Sequence, residues 1–296
     1  MVQTNGGVEI QAGKLSIIII NYNARVLTTA AVASIFSTKP KCDFEIIIVE
    51  NGTKTEECYQ SDRSNVVVLP GVENKGFGHA CNIGVRHAKG EYLLFLNNDT
   101  IMHPQTLDKC LEYLQHHQDV GALSARTLLR DGTLDHGCKR GFPTPMASLY
   151  YFAGMDKRHP ESRKYGAYRQ TFVPEESISE VDAGTGAFLM MPNAAFERAG
   201  GFDEQFFMYA EDIDLCYRVK ELGYKIMYYG KASLTHLKGQ SGLNTKSKQS
   251  IFCFYDSMWL FYKKHYVKKH PFFVTWGVYL GIQIKYWLTL WKRRQI

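Results

Sequence analysis

The sequence predicts an α/β fold with a doubly wound, mostly parallel sheet. Two features of the first half of the chain indicate this fold. Short apolar runs rich in β-branched residues have the length and composition of buried strands. Stretches long enough for helices separate these runs, and such alternation builds a parallel sheet with right-handed crossovers. The chain has 296 residues, 45% of them hydrophobic, which is enough to bury the core of such a sheet.

The predicted elements alternate in order as far as position 123. Strands are expected over 15–20, 44–49, 66–69, 92–96 and 120–123, and helices over 26–36, 78–87 and 104–117. From 127 to about 179 the sequence is rich in Gly, Pro, Arg and Tyr and predicts loops over the sheet edge. Ordered structure is expected again over 181–191, then a helix over 212–222 with Gly223 as its C-cap, and a strand over 225–228.

The chain divides into three predicted segments. Residues 1–13 form a polar lead without the apolar stretch of a secretory signal, so no such signal is expected. Residues 14–245 form the α/β domain, with halves over 14–125 and 126–245, and residues 246–296 form a helical tail. The seven cysteines include no Cys-x-x-Cys pair, so neither a zinc site nor a disulfide framework is expected. Reduced thiols in a cytosolic setting are the simplest interpretation.

The net charge of +6 belongs to the tail. Eight Lys and Arg residues follow position 262 without any acid, whereas the rest of the chain has 27 cations and 29 acids. Nucleic-acid binding by the body of the protein is therefore not expected. The aromatic and aliphatic run over 272–291 contains Gln283 and Lys285 and is near the minimum length for spanning a bilayer. Its tryptophans and flanking cations favour a helix lying on the membrane surface, and the alternative is an ordinary helix packed on the domain.

Polar residues follow three of the predicted strands where each strand ends. They are Asn21 and Asn23, then Glu50 and Asn51, then Asn97, Asn98 and Asp99. Because the carboxyl ends of parallel strands line one crevice, these side chains predict a nucleotide pocket in which a carboxylate accepts a base N–H. The last triplet offers oxygen ligands to a hard divalent cation that also binds phosphate. Taken alone, the triplet is also typical of an Asx turn.

Two further segments carry candidate residues. Gly76 and Gly78 precede the helix that contains Asn82, where they let backbone approach a ligand and where a helix N-terminus favours anions. Cys81 stands in place of the third glycine of a dinucleotide fingerprint, which excludes that motif. The acids of 211–214 suit a helix N-terminus, or a general base beside a crevice. His236 follows the last strand, and a lone histidine is more often structural than a ligand.

These segments, in this order, resemble glycosyltransferase family 2, the inverting enzymes of the GT-A fold. The resemblance runs from about 15 to 241 and includes 16–23, 48–53, 74–84, 96–100, 200–207 and 209–215. Within the family, the segment 211–218 is similar to the form EDxDLCxR of bacterial rhamnosyltransferases. The resemblance implies that 14–125 binds the nucleotide and that 126–245 binds the acceptor and carries the catalytic residue.

The resemblance also implies a role for each candidate residue. It places the nucleotide-sugar donor on Asn21, Asn23, Glu50, Asn51, Lys75, Asn82, Asn98 and Arg218. It implies Asp99, Asn97 and His236 as ligands of a divalent cation, Mn²⁺ or Mg²⁺. It assigns Asp212 as the catalytic base that takes the proton of the acceptor hydroxyl. It places Gly184, Thr185 and Glu211 on the acceptor side.

The expected reaction is transfer of L-rhamnose from dTDP-β-L-rhamnose, with inversion to an α-L-rhamnoside. The expected acceptor is a saccharide linked to polyprenyl diphosphate, used for cell-wall or capsule polysaccharide at the cytoplasmic face of the membrane. A UDP-hexose donor, or a non-catalytic partner in a membrane glycosylation complex, remains an alternative, and homodimer formation is left open. A nucleotidyltransferase is disfavoured, because the first strand is not followed by a Gly-rich loop with Arg and Lys.

Overall fold

The computed structural model of the protein describes residues 4–5, 8–238 and 247–293. The predicted boundary between domain and tail at 245/246 lies outside the described residues, as do positions 239–241 of the resemblance. The strands are β1 Thr4–Asn5, β2 Val8–Glu9, β3 Gln11–Asn21, β4 Phe44–Asn51, β5 Val66–Val72, β6 Gly90–Asn97, β7 Thr100–Met102, β8 Val120–Leu128, β9 Ile178–Val181, β10 Phe188–Pro192 and β11 Lys225–His236. The helices are α1 Arg25–Ser37, α2 Phe77–Arg86, α3 Thr106–His116, α4 Pro145–Phe152, α5 Met155–Arg158, α6 Asn193–Arg198, α7 Glu211–Glu221, α8 Lys248–His265 and α9 Phe272–Arg293.

The central sheet has the strand order β5-β4-β3-β6-β10-β8-β11-β7, and β9 pairs with β11. The first four strands in this order are parallel, as are β8 and β11. Strand β10 runs antiparallel between β6 and β8 and joins the two halves of the sheet. The predicted α/β fold with a doubly wound sheet is confirmed, and its antiparallel pairings all involve β7, β9 or β10.

Alternate residues of β3 enter two separate cores. Ile17 and Ile19 pack with residues of α1 and α3 on one face, and Ile18 and Ile20 pack with residues of α2 on the other. Successive side chains of a strand point to opposite faces, so a continuous apolar run is what a strand covered on both faces needs. Full burial of one such side chain contributes about 2 kcal/mol. This local pattern is why the strands of the first half are predictable.

The segment over 127–179 corrects one expectation, because it contains helices as well as loops. Helix α4 begins where Thr144 accepts a hydrogen bond from the backbone N–H of Ala147, with Pro145 in the first turn. Met146 and Leu149 on α4 are 52% and 57% exposed. Because apolar side chains occupy nearly the whole length of this helix, it lacks the amphipathic spacing from which helices are predicted.

The tail folds back onto the domain as two helices. His265 on α8 places Nε2 2.7 Å from Oδ1 of Asp214 on α7, and the rings of Phe261 and Tyr217 meet edge to face. Helix α9 then packs along α8, with the hydroxyl groups of Tyr255 and Thr289 2.7 Å apart. One face of α9 therefore packs on the protein, as the alternative prediction of a helix packed on the domain expects.

The opposite face of α9 is apolar and exposed to solvent. Its exposed large side chains are Phe272, Phe273, Trp276, Leu280, Ile284, Trp287, Leu288 and Trp291. Among the described residues, no helix combines the length and the apolar character needed to cross a bilayer.

Candidate active site

The carboxyl ends of β4 and β6 open into a cavity of about 890 Å³. Asn51 and Asn97 line it from these strand ends, as the sequence predicts for a parallel sheet. Asp212 in the first turn of α7 and His236 at the end of β11 line it from the second half of the domain. The cavity therefore joins side chains from both predicted halves.

Asn98 and Asp99 form the turn between β6 and β7, and both line the cavity. Oδ1 of Asp99, a residue only 2% exposed, lies 3.2 Å from Nε2 of His236. Nδ1 of the same ring lies 3.0 Å from Oδ2 of Asp135. Burial lowers the pKa of His236, but the hydrogen bond to Asp135 and the negative charge of Asp99 outweigh burial and raise the pKa to about 9.

Asp99 and His236 have the spacing of two ligands of one divalent cation. Ligand atoms about 2.1 Å from an ion and at right angles to each other lie about 3 Å apart. Oδ1 of Asp99 accepts no hydrogen bond from the described residues, and Nδ2 of Asn97 lies 3.5 Å from Nε2 of His236. Asp135 stands behind the ring, as carboxylates do behind metal-binding histidines. Within the described ranges no group of three His, Cys, Asp or Glu side chains is placed to hold a metal ion. The spacing of Asp99 and His236 is the observation that fits a divalent cation.

Asp212 is held by groups that come from distant parts of the chain. Its Oδ2 accepts hydrogen bonds from Nη2 of Arg140 at 2.7 Å and from the backbone N–H of Gly186 at 3.0 Å. The Arg140 guanidinium also donates to the carbonyl of Gly184. These bonds orient the Asp212 carboxylate at the N-terminus of α7, where negative charge is favoured.

The neighbouring carboxylate of Glu211 is in a different environment. Glu211 is buried, lines the same cavity, and its Oε2 has no hydrogen-bond partner among the described residues. Burial, and then the charge of Asp212, hold the pKa of Glu211 well above its ordinary value. A pair of adjacent carboxylates in unequal environments is typical of sites that separate proton-holding and proton-accepting roles.

Three predicted donor-binding residues that follow or end the first strands need correction. Nδ2 of Asn21 donates to Oε2 of Glu50 at 2.8 Å, and Oε1 of Glu50 accepts the backbone N–H of Tyr59 at 2.8 Å. Glu50 is 1% exposed, and neither residue lines the cavity. Asn23 caps the backbone N–H of Lys54 and also lies outside the cavity. The Glu50 carboxylate is engaged by the fold itself because the loop after β4 folds over it.

The glycine-rich start of α2 also needs correction. Gly76 lines the cavity. A Cβ atom at this position would collide with the backbone of Phe207, so packing within the chain also requires a glycine here. Asn82 donates to the carbonyl of Phe202 at 2.9 Å and accepts its N–H at 3.0 Å. Lys75 is paired with an acid two positions earlier and points to solvent. Asn82 and Lys75 therefore lie away from the cavity.

Of the remaining predicted site residues, Arg218 lies outside the cavity, whereas Thr185 and Gly184 belong to the surroundings of Asp212. Arg218 pairs with Asp214 one helical turn earlier, with 2.7 Å between Nη2 and Oδ2, and does not line the cavity. Its predicted diphosphate role is corrected, because the guanidinium is used to neutralise a fully buried acid. Thr185 lines the cavity beside Asp212, and Gly184 contributes the carbonyl that accepts from Arg140.

Asp135, Arg140 and Tyr168 line the cavity without a sequence signal that singles them out. All three come from the segment over 127–179. Arg140 lies 72 positions from Asp212, and Asp135 lies 101 positions from His236. No local pattern can indicate partners at such separations. Their place in the site follows from the fold alone.

The central α/β sheet, with an antiparallel strand between two parallel parts and a cavity at its carboxyl edge, has the GT-A fold, which the solved structures reported below share. The family model "Glycosyl transferase family 2" matches residues 16–173, more than half of the chain, and the chain belongs to that family.

Curated relatives carry related names. Rhamnosyltransferase WbbL of Escherichia coli (strain K12) is 34% identical over 166 residues, which is 52% of this chain and 57% of the relative. N-acetylglucosaminyl-diphospho-decaprenol L-rhamnosyltransferase of Mycobacterium tuberculosis (strain ATCC 25618 / H37Rv) is 28% identical over 209 residues, 66% of this chain and 67% of the relative. O-antigen biosynthesis protein RfbC of Myxococcus xanthus is 28% identical over 234 residues, 77% of this chain and 18% of the relative. The chain thus spans from under a fifth to about two thirds of these relatives.

Solved structures share the fold. GalNAc-T7 with UDP, GalNAc and Mn²⁺ has a TM-score of 0.58 at 14% identity, covering 83% of this chain and 47% of that one. The mannosyltransferase PcManGT from Pyrobaculum calidifontis with GDP-Man and Mn²⁺ has a TM-score of 0.57 at 15% identity, covering 95% and 73%. At these identities the likeness concerns the fold alone.

Proposed function

We propose that this protein is an inverting glycosyltransferase that moves L-rhamnose from dTDP-β-L-rhamnose onto a saccharide linked to polyprenyl diphosphate. The product is an α-L-rhamnoside used in cell-wall or capsule polysaccharide. The observation that carries this proposal is one cavity that contains both the Asp99–His236 pair and the Asp212 carboxylate. The names of the relatives from Escherichia coli and Mycobacterium tuberculosis support the choice of rhamnose.

The proposed reaction is one displacement at the anomeric carbon. The acceptor hydroxyl attacks C1 of the sugar from the face opposite the diphosphate, the C1–O bond breaks, and dTDP leaves with the bonding electrons. Asp212 takes the proton of the hydroxyl, and Arg140 and Gly186 hold its carboxylate in place. Glu211, whose pKa is raised, keeps its own proton more readily. Asp212 is then the carboxylate of the pair that accepts the proton of the acceptor hydroxyl.

Asp99, Asn97 and His236 would hold the divalent cation, Mn²⁺ or Mg²⁺, at the donor end of the cavity. When bound, this cation neutralises negative charge that develops on the leaving diphosphate. Asp135 holds the His236 ring so that Nε2 faces Asp99. Asn51 and Asn98 line the same end and remain proposed donor contacts.

Donor and metal dependence test the proposal directly. Thermal unfolding is measured with dTDP-rhamnose, UDP-GlcNAc, UDP-glucose and GDP-mannose, each with Mn²⁺ or with EDTA. We expect dTDP-rhamnose with Mn²⁺ to stabilise most, by about 2.7 kcal/mol at a ligand concentration of 100 times Kd. Stabilisation by a UDP-hexose instead would replace the proposed sugar. Binding without transfer or donor hydrolysis would favour a non-catalytic partner, and no binding by any donor would reject the proposal.

We propose that the protein is peripheral at the cytoplasmic face of the cell membrane, held by the exposed face of α9. Trp276, Trp287 and Trp291 are 66%, 62% and 54% exposed, and tryptophans with nearby cations are typical of interfacial helices. The conversion of all three to Ser is expected to lower co-sedimentation with anionic vesicles more than about tenfold. Val26→Ser, at a site 76% exposed on α1, is the matched control and should leave binding unchanged.

Unchanged vesicle binding by the triple variant would contradict the membrane proposal. Light scattering tests a second explanation of the exposed face, which is that two copies of the protein pack together through it. If wild type is a dimer in solution and the triple variant is a monomer, then the face of α9 is an interface between two copies.

A further inference from the structure

We infer that the apolar part of the cavity, between α4 and α9, binds the first isoprene units of the acceptor's polyprenyl chain. This inference rests on the proposed function and names the part of the protein that recognises the lipid. The occupant is an isoprenoid diphosphate, and four observations on the cavity support that choice.

The cavity is lined by a polar set and an apolar set of side chains that come from different elements. The polar set, from the strand ends and α7, includes Asp99, His236 and Asp212, and the apolar set, from α4, α8 and α9, includes Leu149, Phe152, Met258, Phe261, Val278 and Ile282. A nucleotide and a saccharide are polar and need hydrogen-bonding partners when they are desolvated. A hydrocarbon chain has no such need and gains from removal of its surface from water. The apolar set therefore suits a lipid that is continuous with a ligand on the polar set.

Helix α9 presents apolar residues both to the cavity and to solvent. Val274, Gly277, Val278, Gly281, Ile282 and Lys285 face the cavity at helical spacing. Trp276, Leu280, Ile284 and Trp287 are exposed on the other side. If the outer face lies in the membrane interface, then α9 separates the cavity from the bilayer by the thickness of one helix.

Two glycines give the cavity wall its shape. A Cβ atom on Gly277 or on Gly281 would meet no atom within 4 Å. Neither glycine is needed for close packing within the described residues, although glycine is a poor residue for a helix interior. They lie four positions apart on the cavity side of α9 and leave a flat strip there. Such a strip gives a thin, unbranched chain room to lie against the helix.

Lys285 completes the match to a diphosphate. It lines the same cavity one turn beyond Gly281, and its Nζ lies 4.6 Å from the ring centroid of Phe152. No carboxylate among the described residues pairs with it, in contrast to the paired Lys264 of the same tail. A cation at the border of an apolar groove suits the head group of an isoprenoid diphosphate.

The test fills the strip without removing any contact. Gly281→Leu should raise KM for a saccharide on farnesyl diphosphate at least about tenfold, because the added side chain occupies the site of the chain. KM for the same saccharide on a methyl aglycone should not change, nor should donor affinity or Tm. Val26→Trp adds bulk to an exposed position of α1 outside the cavity and is the matched control, while Gly281→Ala is a milder variant should Leu impair folding.

Direct binding separates this inference from the proposed function. Titration with farnesyl diphosphate, farnesol and inorganic pyrophosphate uses the full chain and needs no transfer. We expect farnesyl diphosphate to bind wild type and to lose at least about tenfold in affinity with Gly281→Leu, and pyrophosphate to be unaffected. Equal binding of farnesyl diphosphate by both proteins, or equal KM changes for both acceptors, overturns the lipid site even where transfer is normal. Lost transfer with retained, Gly281-dependent lipid binding rejects only the proposed reaction.

Discussion

Asp212→Asn should lower the turnover of sugar transfer by about 10³-fold and leave donor affinity nearly unchanged. An amide has the shape of the carboxylate and can still accept the hydrogen bonds from Arg140 and Gly186. It cannot take a proton from the attacking hydroxyl, and a positioned general base contributes about 10²–10⁴-fold. The loss should therefore appear in kcat and not in KM.

Release of dTDP measures the rate, and titration with dTDP-rhamnose measures the affinity. Asp203→Asn is the control, because Asp203 is an acid near α7 that pairs with Lys264 and does not line the cavity. That variant should keep its turnover. Similar turnover in Asp212→Asn and wild type would remove Asp212 from the proposed mechanism.

Arg140→Met should destabilise the protein by about 3 kcal/mol. The Arg140 side chain is 16% exposed and lies 2.7 Å from an Asp212 carboxylate that is 11% exposed. No other Lys or Arg of the described residues pairs with Asp212 or Glu211. Methionine would fill a similar volume and leave two adjacent buried carboxylates without a cation. Urea denaturation measures the change.

The same variant should become more sensitive to high pH. The pKa of Glu211 is raised in the folded protein. The contribution of Glu211 to stability is therefore fully present below the ordinary carboxyl pKa of about 4.3. This contribution is lost as pH rises through the raised pKa. Arg140 lowers the pKa of Glu211 and so limits this loss. Without Arg140 the loss is larger, so the destabilisation should be greater at pH 8 than at pH 5.

Lys225→Met is the control for this experiment. Lys225 pairs with Asp119, the side chains of both residues are more than half exposed, and such surface pairs contribute little to stability. A small change without pH dependence is expected there. An Arg140→Met variant that unfolds at the wild-type urea concentration at both pH values would show that Arg140 does not neutralise the pair.

The predictability of the fold has a local cause. In β3, β4 and β6 every residue of the central run is buried on one face or the other, so hydrophobic character alone marks these strands. Gly223 follows α7 with a positive φ of 89°, which glycine adopts without strain. Helix α4 shows the opposite case, since apolar residues occupy nearly its whole length, partly exposed and lining the cavity, and give no amphipathic pattern.

The site was predictable where position in the fold is enough. Asn97 and Asp99 come at the end of a parallel strand, and topology alone brings such residues to the crevice. Glu50 satisfies the same rule but turns its carboxylate to Asn21 and Tyr59. Arg218 is similarly used by Asp214. The hydrogen-bond partner of a polar side chain is an atom within about 3 Å. Such partners come from distant parts of the chain, and no sequence spacing indicates them.

The amino-acid sequence alone determines the α/β class, the order of the first strands and helices, and the polar edge that faces the cavity. These are properties of local periodicity and of parallel topology. The tertiary structure alone places Arg140 against Asp212 and Asp135 behind His236, and it folds α9 over the cavity. The physical reason is the short range of hydrogen bonds, ion pairs and packing contacts, which depend on distances in space that the order of residues does not contain.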